Sequence, residues 1–98
     1  MSASTSFNLR FDDDLEEKIP HIIDKYIELF FSEEWGEVIS ALRNGVAMKE
    51  KYCDHDLKGN WKGHRECHIK PDLLLIYKKR DDGIIQLVRL GSHSELYG

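Results

Sequence analysis

Phe7, Leu9 and Phe11 alternate with Asn8 and Arg10, the period of two expected of a half-buried strand. Residues 1–5 before them are small and polar and read as a disordered tail. Asp12, Asp13 and Asp14 end the strand and suit the start of a helix, where carboxylates meet unpaired N–H groups and the positive end of the dipole. Leu15, Ile19, Ile22, Ile23, Tyr26, Ile27 and Phe30 follow at helical spacing as one apolar stripe. Pro20 inside that stripe either kinks the helix or marks its first turn. Ser32, Glu33 and Glu34 open a second helix, with Trp35, Val38, Ile39 and Leu42 as its buried face. Arg43 suits its last turn, and Asn44 and Gly45 close it.

The pattern then changes. Residues 46–60 read as a connection ending in Asp54, Asp56, Gly59 and Asn60, and 61–69 as a mixed, strand-like stretch. Residues 70–72 make a turn, and 73–77 form an apolar run of the length of a strand covered on both faces. A hairpin loop over 79–83 leads to a strand over 84–90, a turn at 91–93 and a short helical turn over 94–98. The order β-α-α-β-β-β specifies a single α+β domain over 1–98, with two helices on one face of a mainly antiparallel sheet.

Composition bounds the function. The chain has 98 residues, 41% apolar and 33% charged, as expected of one globular domain. No apolar run nears the roughly 20 residues of a membrane span. The start, MSASTSF, lacks the basic and apolar regions of a signal peptide, so cytoplasm and no membrane partner are expected. Net charge is −4, unevenly spread: residues 1–53 hold six basic residues against eleven acids, the remainder eight against seven. This acidity speaks against a generic nucleic-acid binder but permits a local basic face on the second half.

That second half also holds four of the five histidines, His55, His64, His68 and His93; His21 reads as a surface residue. Cys53 and Cys67 stand among them, so a small zinc domain through Cys53, His55, His64 and Cys67 is conceivable. The spacing fits no common finger or ribbon, and adjacent Cys67 and His68 would point to opposite faces of a strand. Cys67 reads better as a small buried residue, with no metal or cofactor required. Histidine changes charge near neutrality and suits acid/base work. Metal-free RNA cleavage needs a base for the 2′-OH, an acid for the departing 5′-oxygen, and cations for the phosphoryl charge. His55, His68 and His93, with Asp72 as carboxylate partner, could fill the first two roles. Lys58, Lys62, Arg65, Lys70 and Arg89 are candidate cations, and Trp61 and Tyr97 offer stacking faces for an unpaired base. No phosphate-cradling glycine loop, nucleophile elbow or HExxH helix is present. Spacing alone therefore reaches an acid/base site with its substrate undetermined.

The segments DHDLKGNWKGHRECHIKPDLLLIY and LVRLGSHSELYG resemble the YafQ branch of the RelE toxin superfamily, over about 45 residues. The resemblance implies a RelE-like microbial RNase fold and the toxin of a type II toxin–antitoxin pair, a ribosome-dependent, metal-independent mRNA endonuclease. It places catalytic function on His55, His68, Asp72 and His93, with Tyr97 at the same site. His93 is expected as the acid, the His68/Asp72 pair as the base, and His55 as their support or a phosphate contact. Lys62 and Arg65 are expected to steady transition-state charge, with Arg89 and Trp61 also binding substrate. The implied partners are a cognate antitoxin in a hetero-oligomeric complex, the ribosome and mRNA. Two features depart from the family: Tyr97 is phenylalanine in some relatives, and these toxins are usually basic. The excess acid is expected on a face turned away from the ribosome. A second reading is a catalytically degenerate or ParE-like module acting through protein contacts; its gyrase-directed relatives lack the histidine set.

Overall fold

The computed structural model describes residues 6–98, so the tail expected over 1–5 lies outside the described residues. Five strands form one sheet in the order β1-β5-β4-β3-β2: β1 is Asn8–Phe11, β2 His55–Asp56, β3 Arg65–Lys70, β4 Leu73–Lys79 and β5 Ile84–Gly91. The three hairpin-type pairings are antiparallel, while β1 lies parallel to β5. Helices α1, Asp13–Tyr26, and α2, Glu33–Asn44, precede β2, and a short α3, His93–Tyr97, closes the chain.

Local chemistry explains the boundaries. Asp12 caps α1 by accepting from the Asp14 N–H, and Ser32 caps α2 by accepting from the Trp35 N–H. Gly45 ends α2 at φ 65°, with the Phe7 ring so close that a Cβ would lie 2.5 Å from it. Pro20 lies inside α1 rather than at its first turn. The stripe expected as one helix through Phe30 is divided, because α1 stops at Tyr26 and a tighter 3-10 turn, Ile27–Phe31, carries the rest. The expected connection over 46–60 contains the extra edge strand β2. The strand expected from Trp61 begins only at Arg65, because the Leu57 N–H donates to the His64 carbonyl and closes a loop around Trp61.

One face of the sheet carries the core. Leu15, Ile22, Leu29, Val38 and Leu42 from the helical half pack with Tyr52, Cys67, Ile69, Leu73, Leu75, Tyr77, Ile85, Leu87 and Leu90. Central strand β4 is buried on both faces from Leu73 to Tyr77, as its apolar run requires. A bulge interrupts β5: Ile76 pairs with Arg89 but Tyr77 with Leu87, leaving Val88 unopposed. Leu87 and Leu90 therefore both reach the core, and Arg89 is turned to the other face.

Candidate active site

Cross-strand pairing builds the second face. His55 pairs with Glu66, Glu66 with Ile76 and Ile76 with Arg89, so these four side chains form one row across four strands. Three strand spacings of about 4.8 Å put the ends of the row roughly 14 Å apart. The next row runs from His68 through Leu74 to Gly91. His55 and His68 thus become neighbours, with ring centres 6.2 Å apart, although thirteen positions separate them in the chain.

Glu66 binds this cluster together. It is 6% exposed, the buried charged residue of the described chain. Its Oε1 faces Nε2 of His55 at 3.5 Å and Nε2 of His68 at 3.4 Å. The Tyr97 hydroxyl donates to the other oxygen, Oε2. Burial, then this bond to a carboxylate, pushes the Tyr97 phenol above its ordinary range, so it stays a donor. His55 Nδ1 lies 2.6 Å from the Cys53 carbonyl oxygen. A carbonyl only accepts, so Nδ1 carries a hydrogen and Nε2 is the atom turned to Glu66. Glu66 is not among the site residues expected from the sequence. Its signal was alternation: in a strand, the residue two before His68 shares its face.

The third histidine comes from the chain terminus. Ser92 and Glu95 form a reciprocal capping box at α3, and Glu95 also accepts from Tyr26 at 2.5 Å and Lys25 at 2.9 Å. The Ser92 backbone N–H, then Tyr26 and Lys25, hold the Glu95 carboxyl down at about 2. α3 is therefore pinned to the end of α1. Its His93 ring stands 5.0 Å from that of Tyr97, which leads back to Glu66. Asp72, expected to partner His68, instead accepts from the backbone N–H of His93 at 3.1 Å. The carboxylate beside His68 is Glu66, and Asp72 seats the helix that carries His93.

The expected cations are divided. The Arg89 guanidinium lies 5.8 Å from the centre of the Trp61 ring on the site face. It also reaches Asp12 at 3.6 Å and Asp14 at 3.4 Å, so part of the N-terminal acid borders this face rather than turning away from it. Lys62 is exposed beside Trp61. Arg65, expected to steady transition-state charge, pairs across strands with Tyr77 on the helix-covered face. There it donates to Asp54 at 3.1 Å and Asp56 at 2.6 Å, and the Tyr77 hydroxyl joins Asp54 at 2.5 Å. These bonds anchor β2 from behind while His55 points forward. The four residues of the zinc reading do not converge: Cys67 is fully buried on the core side, where desolvation pushes its thiol up, and His55 faces the other way. Among the described residues, no three His, Cys, Asp or Glu side chains are arranged to hold a metal ion.

A family model described as bacterial toxin of type II toxin-antitoxin system, YafQ, matches residues 7–98. The chain belongs to this family. The mRNA interferase toxin YafQ of Escherichia coli (strain K12) is 40% identical over 57 residues, 58% of this chain; the match spans 61% of that toxin's length. The copper-bound structure of a mutant toxin from Helicobacter pylori superposes with a TM-score of 0.78 at 37% identity, covering 93% of this chain and 99% of that one. YafQ in the E. coli DinJ-YafQ toxin-antitoxin complex gives 0.75 at 25% identity, covering 95% and 99%. The mixed sheet and N-terminal helices are thus the YafQ fold, the RelE-like architecture expected from the sequence.

Proposed function

We propose that this YafQ-family chain is an mRNA interferase, an endoribonuclease that cuts mRNA in the ribosomal A site and so stops translation. One observation carries the reading: a buried carboxylate, Glu66, holds two imidazoles and a phenol at one point of an exposed face, with a third imidazole beside them. His68, steadied by Glu66, takes the proton of the 2′-OH. The 2′-oxygen bonds to phosphorus as the bond to the 5′-oxygen breaks, and His93 supplies the proton to that oxygen. The products are a 2′,3′-cyclic phosphate and a 5′-hydroxyl. Each proton transfer contributes on the order of 10²–10⁴ in rate. His55 faces the phosphate beside Glu66, Asp72 positions His93 through its backbone, and Tyr97 and Trp61 offer ring faces to bases. Lys62 and Arg89 meet phosphates.

The ribosome and mRNA are then partners, and cytoplasm is the place of action. No helix among the described residues is long and apolar enough to cross a membrane. The solved E. coli complex pairs YafQ with DinJ, which supports a cognate antitoxin and a hetero-oligomeric complex here. One observation favours the alternative of a degenerate, protein-binding toxin: Asp12 and Asp14 take up much of the charge of Arg89.

Induced expression of wild type and His93→Ala, with primer extension on a translated message, separates these readings. Codon-phased cuts and growth arrest are expected only from wild type, with His93→Ala still folded and still bound by antitoxin. Full cleavage by His93→Ala would remove the acid assignment. Folded wild type that makes no cuts would establish the protein-binding alternative.

A further inference from the structure

We infer that Ile23, Ile27 and Phe31 form the docking surface for an amphipathic segment of the cognate antitoxin that is apolar on one side and basic on its flank. The inference rests on the toxin–antitoxin reading and adds where the inhibitor sits and what chemistry it must present.

Ile23 lies in the last turn of α1, and Ile27 and Phe31 begin and end the 3-10 turn that follows, so the three carry an apolar line across the break between helices. They are 39%, 47% and 85% exposed, while Ile22 and Leu29 on the same elements are buried. A contiguous apolar line rimmed by charge is the form of a protein contact. Beside it opens a groove of about 620 Å³ that runs from Ile27 along Leu29 and Leu73 to Asp72.

Charge selects the occupant. The two lysines lining the groove, Lys25 and Lys70, are already paired with Glu95 and Glu34. Asp24, Glu28 and Glu33 are exposed alongside the apolar line and enter no ion pair among the described residues. The rim is therefore net negative, which repels the phosphate backbone of RNA and attracts lysine or arginine. The far end of the groove gives the docked segment a means of inhibition. Asp72 there seats His93, so a basic side chain drawn to Asp72 competes for the bond that positions α3.

The test is titration of purified cognate antitoxin into the full-length toxin and two double variants, with cleavage on translating ribosomes followed separately. Ile27→Asp/Phe31→Ser should weaken antitoxin binding by about 100-fold, as expected for loss of central apolar anchors. Asp24→Lys/Glu28→Lys should weaken it at least about tenfold and flatten its salt dependence. Both variants should cleave message at the wild-type rate, since none of these residues belongs to the histidine cluster. Wild-type affinity in the apolar variant would overturn the docking surface. Unchanged or tighter binding by the charge-reversed variant would overturn the basic partner. A toxin dimer, or binding of a single-stranded RNA oligomer, that is lost in the apolar variant while antitoxin affinity persists would also overturn it. Normal antitoxin affinity in a wild type that cuts nothing would count against the interferase reading alone.

Discussion

Glu66→Gln isolates the charge at the centre of the site. The substitution keeps the shape of the side chain and an amide oxygen that can accept from the Tyr97 hydroxyl, so the fold should hold. What it removes is the negative charge 3.4 Å from His68 Nε2 and 3.5 Å from His55 Nε2. An imidazolium formed at 3.4 Å from a carboxylate is stabilised by about 1 kcal/mol at the dielectric constant of water and about 5 kcal/mol at an effective value of 20. The His68 side chain is 33% exposed, which places the effect toward the lower end, about 2 kcal/mol or roughly 30-fold in rate. His55, 48% exposed, adds less, so the total loss expected is about 100-fold. The assay is the single-turnover rate of cleavage of a defined message on stalled ribosomes, with thermal unfolding followed on the same samples. A rate within threefold of wild type from a normally folded variant would refute the idea that Glu66 organises the acid/base pair.

Three further outcomes test the surrounding structure. Leu75→Ala, at a fully buried position of the central strand, should cost about 2–5 kcal/mol; a urea midpoint implying less than 1 would show that the sheet centre is not tightly packed. Arg65→Lys replaces a forked contact to Asp54 with a point charge and should lower stability by about 1–3 kcal/mol, while cleavage per folded molecule stays unchanged. A selective loss of rate at full stability would instead return Arg65 to the transition state. Glu95 gives a pH test. Its folded carboxyl is held down at about 2 against an ordinary 4.5, so its stabilisation is complete above about pH 4.5 and is lost as pH falls toward 2. Over that window wild type should lose more stability than Glu95→Gln, and parallel melting curves would show that α3 is not held by this carboxylate.

Much of this fold is legible in the chain itself, because many of its elements follow local rules. Alternation and helical spacing placed the first strand, both helices and the buried run of β4; Ser32 and Gly45 marked the ends of α2 through their own backbone and hydroxyl chemistry. The histidines were visible as residue types suited to proton transfer, and the motif order pointed to the family. Their partnerships were not visible, since those depend on register between strands distant in sequence. The pairing of β2 with β3 brought His55 to Glu66 and so to His68, while α3, held by Lys25 and Tyr26, carried Tyr97 to the same carboxylate. A single bulge at Val88 decided that Arg89 faces the site, and the parity of β3 sent Arg65 to the opposite side. One residue of register moves a side chain to the other face of a sheet, and only packing of the whole chain sets that residue.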